Sequence, residues 1–348
     1  MINRALIRTR VLQVVYAHHH RENSTVATAE LELNNSFSRT YDLYFYLLSL
    51  IPAITELHQE LLEVRKNRHL ATAEDKNPNT RLVDNRLSRM LYESEALDNR
   101  TRDKGLTWRT EETLLRSLLQ KIISSEIYER YLNSKDNFQN DQLFWVEVFK
   151  NIIATDEDLA EYLEDKSIYW DDELTALEKI DCEEQPDWDE IDNAVQDARR
   201  NNRYNAVTLS DSSVEIVKDF TEKTLRRIIE DEPAEAHFLP LFKDREDENF
   251  AKVLLRQTLL KHADLKILVE QHLSKNWDSE RVADMDMIIL EMGISEMLYI
   301  PEIPTWVTIN ECIELAKIYS TPKSHTFVNG ILDAVARELK ESGRIIKQ

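Results

Sequence analysis

Glycine is scarce in this chain: only 4 of its 348 residues are glycine, and only 8 are proline. Hairpin turns need residues that adopt positive φ or hold a fixed φ, so a β-rich chain of this length requires many more of both. Apolar residues recur instead at helical spacing, as in Val282, Met285, Ile289 and Met292. The sequence therefore predicts an all-α fold, and its hydrophobic content of 42% allows a sizeable core.

The same scarcity of glycine argues against enzymes that hold phosphates on backbone N–H groups. Neither G-x-G-x-x-G nor G-x-x-x-x-G-K-[ST] occurs, and no Ser–His–Asp or Cys–His arrangement stands out. The adjacent His18, His19 and His20 point about 100° apart on a helix, so the three rings do not converge on one ion. We therefore expect a non-enzymatic protein with no catalytic residues, no cofactor and no metal site.

Cysteine content and hydropathy indicate the cellular compartment of such a chain. Cys182 and Cys312 lie far apart and suggest no disulfide framework, which is typical of a reducing compartment. The first residues lack the apolar stretch of a secretory signal. The longest apolar run, residues 43–51, is shorter than the roughly 20 residues that span a bilayer. We expect a cytoplasmic protein that does not contact membranes.

Charge is unevenly distributed along the chain. The net charge is −21, and residues 141–200, with 20 acidic and 5 basic residues, carry −15 of it. Residues 1–21 hold four arginines and no acidic residue. Phosphate contacts need Lys and Arg, and a ligand meets the local charge rather than the mean. The N-terminal segment therefore remains a candidate for nucleic-acid binding in an acidic protein.

Several ordered sequence blocks resemble the NusB family. VTINECIELAK at residues 307–317, followed by SHTFVNGILD at residues 324–333, is similar to the C-terminal signature of that family. WDSERVADMD at residues 277–286, with Glu296 further on, is similar to the preceding family helix, and RTRVLQVVY at residues 8–16 to the first. The resemblance implies two small helical bundles of NusB type.

The resemblance also divides the chain into three parts. Residues 1–50 are expected to supply the N-terminal helices of the NusB-like module, and residues 245–348 its remainder. Residues 51–244 form an acidic, mostly helical insertion that compact family members lack. Residues 41–62 and 250–273 both resemble one long family helix, and we favour the second segment because it runs directly into Trp277.

The function that the resemblance implies is transcription antitermination. Family members bind the boxA element of ribosomal RNA transcripts together with NusE, a small-subunit ribosomal protein, within the transcription elongation complex. One alternative is a protein-interaction scaffold that acts through its acidic insertion without affinity for RNA. Another is the RNA-recognition part of an RNA methyltransferase, against which the missing Gly-rich cofactor loop counts heavily.

The resemblance assigns RNA contacts to eight positions, for which a structural role is the alternative. Arginine forks match phosphates and base edges, and aromatic rings stack on unpaired bases. The arginines could instead form a polar helix face, the aromatic residues could pack in the core, and the serine could cap a helix. The eight positions are Arg4, Arg8, Arg10, Tyr16, Glu280, Lys323, Ser324 and Phe327.

Three further expectations concern the partner protein and local structure. Asp286 matches an acidic family residue that pairs with a basic residue of the ribosomal protein, the alternative being a free exposed carboxylate. Thr308 and Glu311 have the spacing of a capping box that opens a helix, and Gly330 is expected to permit close helix packing. A last hypothesis is that the acidic residues 141–200 fold over the basic first helix and compete with RNA.

Overall fold

The computed structural model describes residues 2–166, 170, 213–273 and 282–345. These residues form 15 α-helices, one π-helical turn and one 3₁₀ turn without any β-strand, which confirms the all-α prediction. None of the described helices combines the length and the apolar character that a membrane span requires.

The helices are numbered here in chain order. They are α1 (Arg4–His19), α2 (Val26–Lys66), α3 (Ala73–Lys76), α4 (Arg86–Tyr92), α5 (Glu95–Asp103), α6 (Glu112–Ile123), α7 (Glu126–Asn133), α8 (Phe138–Val148), α9 (Glu157–Lys166), α10 (Ser213–Arg227), α11 (Arg245–Leu260), α12 (His262–Glu270), α13 (Asp284–Tyr299), α14 (Thr305–Tyr319) and α15 (Ser324–Glu341). The π-helical turn is Phe149–Ile153 and the 3₁₀ turn is Ala234–His237.

The chain divides into two compact units. Of the described residues, the first unit contains those up to Ser38 and those from Leu241 onward, and the second contains residues 39–166, 170 and 213–240. The boundaries between units therefore fall at 38/39 and 240/241, whereas the sequence predicts domain boundaries at 50/51 and 244/245. Most of the predicted acidic stretch beyond residue 166 lies outside the described residues. The hypothesis that this stretch covers the first helix therefore concerns residues that the structure does not describe.

Helix α13 is the centre of the first unit. Of its 16 residues, 13 are buried. A helix that is apolar on all sides needs packing partners on all sides, and α1, α11, α12, α14 and α15 all pack against it. Asp286, Glu291 and Glu296 of this helix are also buried, so each carboxylate needs a hydrogen-bond or ion-pair partner.

The N-terminus of the chain is fixed within the first unit. The side-chain oxygen of Asn3 caps α1 by accepting a hydrogen bond from the Leu6 N–H at 2.8 Å. The Ile2 N–H donates to the Leu241 carbonyl at 2.8 Å, and Ile2 forms a parallel bridge with Phe242. The ring of Phe37 meets that of Phe242 edge to face, with centroids 5.3 Å apart. Residues some 200 positions apart in sequence thus assemble one unit.

Residues 250–273 are the better candidate for the family's long helix. They belong to α11 and α12, which pack against α13 in the first unit. Residues 41–62 belong to the second unit, within the part of α2 that follows Ser38. The segment that the sequence favours thus lies in the first unit, and its match to the family's long helix stays a prediction.

Aromatic side chains organise the core of the second unit. The rings of Tyr46 and Trp108 stack with centroids 3.9 Å apart, and the Trp108 indole N–H donates to the Tyr46 carbonyl at 3.0 Å. Trp145 of α8 has 0% of its surface exposed. The stacked rings hold the segment between α5 and α6 against the 41-residue α2, and Trp145 contributes a large buried ring from α8.

The capping-box prediction is wrong. Helix α14 begins at Thr305 after Pro304, without a side-chain cap. Thr308 and Glu311 therefore lie inside the helix, one turn apart on the same side. Their side chains bind residues of α13 and α1 instead of the backbone of their own helix.

Close helix packing occurs at Gly293, not at Gly330. A Cβ atom added to Gly293 would lie 2.8 Å from the sulfur of Cys312 and 3.1 Å from Leu332, whereas one added to Gly330 meets nothing within 4 Å. The prediction for Gly330 is therefore wrong. Gly293 lets α14 and α15 approach α13 because it lacks a side chain.

Alanine substitutions at these two glycines should change stability in opposite directions. Gly330→Ala is expected to stabilise the protein by up to about 1 kcal/mol, because alanine favours the helix more than glycine does. Gly293→Ala gains the same preference but overpacks the core at a cost of about 1–3 kcal/mol, so the net effect is destabilising. Urea denaturation followed by circular dichroism compares them, and equal shifts in midpoint would contradict the packing described here.

Candidate nucleic-acid interface

The predicted RNA-binding and partner-binding residues lie on α1, α13 and α15 of the first unit or directly before α15. Glu280 is the exception, since it lies outside the described residues. Each of the others has a defined environment, which decides whether its side chain is available to a ligand or engaged within the protein.

Arg8 is at the centre of a buried ion-pair network. Its Nε and Nη2 donate to the two carboxylate oxygens of Glu296 at 2.8 and 2.9 Å, and its Nη1 donates to Glu311 at 2.9 Å. The Thr308 hydroxyl donates to Glu296 at 2.7 Å. Only 4% of Arg8 is exposed, so its guanidinium ties α1 to α13 and α14.

The charge of Arg8 is maintained by these acidic partners. Burial alone lowers the pKa of the guanidinium, but the hydrogen bond and charge of Glu296, with the charge of Glu311, outweigh it and raise the pKa. Arginine suits this position because its planar fork matches a carboxylate bidentately. The network gives Arg8 an internal role, and a direct contact with RNA stays a prediction.

Arg4 shares the Arg8 face of α1, as their spacing of four predicts, but it is more accessible. Its Nε donates to Asp247 at 2.7 Å, and 35% of its side chain is exposed. The guanidinium carbons of Arg4 and Arg8 lie 5.4 and 5.1 Å from the centroid of the Phe250 ring. Arg4 also lines a cleft of about 190 Å³ together with Phe250, Tyr299 and acidic side chains. The acids make this end of the unit better suited to base stacking than to phosphate binding.

Arg10 and Tyr16 are both buried in the first unit. Arg10 is 2% exposed, and its Nη1 donates to the side-chain oxygen of Gln13 at 2.8 Å. Tyr16 is 1% exposed, and its ring stacks on that of His20 with centroids 4.2 Å apart. Core packing, the alternative considered for Tyr16, describes its environment, and neither side chain is presented to solvent.

Ser324 and Asp286 form a buried pair at the start of α15. The Ser324 hydroxyl donates to Oδ2 of Asp286 at 2.7 Å, and the two residues are 4% and 6% exposed. The other oxygen of Asp286, Oδ1, is buried and has no hydrogen-bond donor among the described residues. Lys323 is exposed directly before the helix, and Phe327 is half-buried one turn into it. Asp286 is thus not the free exposed carboxylate considered as its alternative role.

The candidate residues fall into two groups at opposite ends of α13. Arg8 lies beside Glu296, while His20, at the other end of α1, lies 3.4 Å from Asp284. Helix α1 therefore runs antiparallel to α13. The ten residues from Asp286 to Glu296 correspond to about 15 Å of helix, so Arg4 and Arg8 are well separated from the pair at α15.

Sequence reasoning missed the residues that hold Arg8. Glu311 lies within a resembling block and Glu296 follows one, but the sequence alone indicates only a helix cap and a family-like position for them. A buried arginine demands an acidic partner, yet these partners are 288 and 303 positions away. Phe250, which lies under both Arg4 and Arg8, gives no signal beyond its apolar spacing.

Comparison with known proteins agrees with the resemblance. A model of the NusB family matches residues 200–337. The transcription antitermination protein NusB of Salinibacter ruber (strain DSM 13855 / M31) is 40% identical over 109 residues, which are 31% of this chain and 68% of that protein. That of Methylacidiphilum infernorum (isolate V4) is 47% identical over 96 residues, which are 27% of this chain and 65% of that protein. The solved structure of T. maritima NusB is 31% identical, covers 34% of this chain and 82% of that one, and has a TM-score of 0.26.

The part of the matched region from Leu241 onward belongs to the same structural unit as α1. Helix α1 lies outside residues 200–337, but its Arg8 binds Glu296 and Glu311 inside that range. The chain spans about two thirds of the length of the relatives that it matches, from 59% to 68%. With 40% identity over 68% of the Salinibacter ruber protein and a matching family model, this chain belongs to the NusB family.

Proposed function

We propose that this chain is a non-enzymatic transcription antitermination factor. It binds boxA-type RNA of ribosomal RNA transcripts together with the NusE ribosomal protein, within the transcription elongation complex. The observation that carries the proposal is its membership of the NusB family, whose matched relatives bear the name transcription antitermination protein.

The start of α15 is the part of the first unit that favours RNA binding most. Lys323 is exposed there, and the N-terminal end of a helix carries a partial positive charge that attracts phosphate. The half-buried ring of Phe327 lies one turn further on, where an unpaired base could stack against its accessible part. A cation, a helix N-terminus and a ring within one turn are what a short single-stranded RNA needs for phosphate and base contacts.

Arg4 provides a second contact at the other end of α13. Its partly exposed guanidinium lies against Phe250 in the cleft that Tyr299 also lines. Arg8, Arg10 and Tyr16 then support RNA binding indirectly, by fixing α1 within the unit. RNA bound at both ends would extend along the direction of α13.

The buried carboxylate of Asp286 supports a contact with a basic residue of the partner protein. Its Oδ1 has no donor among the described residues, although a buried carboxylate oxygen without a hydrogen bond is costly. A lysine or arginine of NusE would supply that donor. Ser324 holds the other oxygen and so fixes the orientation of the carboxylate.

A fluorescence-anisotropy titration with labelled boxA-type RNA tests the proposal, with a scrambled RNA beside it at several salt concentrations. Lys323→Ala should weaken binding and reduce the slope of log K against log [salt] by about 0.7, the value for one phosphate contact on a single strand. Phe327→Ala should cost about 1–3 kcal/mol if the ring stacks on a base.

Lys340→Ala is the matched control, because Lys340 is an exposed lysine at the opposite end of the same helix. It should leave RNA affinity nearly unchanged. If Lys323→Ala and Lys340→Ala weaken binding equally, the start of α15 is not the contact surface. If RNA never binds better than its scramble, even with the partner present, the interaction scaffold becomes the better account.

A further inference from the structure

Three side chains that commonly bind transition metals meet in the first unit. They are His19 at the end of α1, His262 at the start of α12 and Glu291 in the middle of α13, with ligand atoms all within 4.8 Å of one another. Nδ1 of His262 lies 2.8 Å from Oε2 of Glu291. The rings of His19 and His262 meet edge to face with centroids 4.6 Å apart.

Only the middle residue of the triplet 18–20 takes part in this cluster. Nδ1 of His18 is 2.6 Å from the Ser24 hydroxyl. Nδ1 of His20 is 2.9 Å from the Tyr16 carbonyl. The three adjacent rings diverge, as the sequence predicts, but His19 converges with two side chains from distant parts of the chain.

Glu291 gives an independent indication of a ligand. Its side chain is 0% exposed, and its Oε1 has no hydrogen-bond partner among the described residues. Burying a carboxylate oxygen without a partner is costly, and a bound cation would offset that cost. His262 satisfies only the second oxygen, Oε2.

We propose that His19, His262 and Glu291 bind one Zn²⁺ ion, with water as the fourth ligand. Two imidazole nitrogens and one carboxylate oxygen form a ligand set typical of Zn²⁺, at distances of about 2.0–2.2 Å. The ligand atoms lie within 4.8 Å of one another, and because His19 is exposed its side chain can rotate toward a bound ion. The ion would link α1, α12 and α13, and the proposal does not depend on RNA binding.

Zinc competition with a chromophoric chelator tests the site in the full chain, after metal has been removed. We expect one bound equivalent, and we expect His19→Ala and His262→Ala each to lower the affinity at least about tenfold. His18→Ala and His20→Ala are matched controls in the same segment and should retain it. Co²⁺ should give the intense visible bands of a tetrahedral site in the unaltered protein and lose them in His19→Ala.

Circular dichroism of the metal-free variants shows whether each variant is folded. His19 is exposed, so its replacement should leave the core intact. The proposal is overturned if the full chain binds no Zn²⁺, or if binding survives both His19→Ala and His262→Ala. Zn²⁺ bound through Cys182 instead would stay bound in both of these variants. Equal loss in His18→Ala and His19→Ala would also overturn it.

Discussion

Replacing Glu296 with alanine is expected to lower the free energy of unfolding of the first unit by about 3–5 kcal/mol. The substitution removes both carboxylate oxygens that receive the guanidinium of Arg8, which is only 4% exposed. Glu311 remains as a partner through a single hydrogen bond at 2.9 Å. A buried cation left largely uncompensated costs more than the ion pair contributed, so the loss exceeds that of any surface pair. Hydrogen exchange of the α13 amides measures this change within the unit itself.

Two further variants define what that result means. Glu302→Ala removes an exposed acid just beyond α13 and should change stability by no more than about 0.5 kcal/mol. Replacing the pair together, as Arg8→Met with Glu296→Leu, should recover most of the lost stability, because the one carboxylate then left without Arg8 is Glu311, whose side chain is 33% exposed. If Glu296→Ala is as stable as Glu302→Ala, the buried network is not what fixes α1.

Trp145→Ala should destabilise the second unit by about 3–5 kcal/mol. Trp145 is fully buried, with 0% of its surface exposed, so truncation removes a large apolar contact and leaves a cavity. Guanidinium denaturation followed by circular dichroism measures the change. Trp306→Ala is the control, since that ring is 63% exposed and its loss should change stability by no more than about 0.5 kcal/mol. Similar losses for the two tryptophans would contradict the assignment of Trp145 to the core.

The helical class and the C-terminal helices could be predicted from the sequence because both depend on local patterns. The scarcity of glycine and the spacing of apolar residues can both be observed without knowing any tertiary contact. Helix α15 begins at Ser324, where the resembling sequence block begins. Short helices show a weaker periodic pattern in the sequence. Helices α4 and α5 have only seven and nine residues, so their two turns show little periodicity and depend on the caps Asn85 and Ser94.

The tertiary contact partners of a residue could not be predicted from the sequence. Arg8 fits an exposed polar face equally well until Glu296 and Glu311 are brought beside it. Thr308 and Glu311 have the spacing of a cap and also of two neighbours on one helix face, and only tertiary packing decides between them. Gly293 and Gly330 look alike in sequence, yet only the first faces Cys312.

The candidate RNA contacts differ in how accessible their side chains are. Lys323 is exposed and Phe327 half-buried at the start of α15, as an RNA contact requires. Arg8, Arg10, Tyr16 and Ser324 are instead buried, because α1 and α15 both pack against the central helix α13. The RNA-binding assignments all stay predictions until binding is measured.

Reciprocal binding of boxA-type RNA and the NusE ribosomal protein tests the account most directly. The dissociation constant of the RNA should be measured with and without saturating NusE, and that of NusE with and without RNA, beside a scrambled RNA. The account predicts that each ligand tightens the other by the same factor, about 5–150-fold, because coupling between binding sites is reciprocal. A boxA-type RNA that binds no better than its scramble, with NusE present or absent, would contradict it.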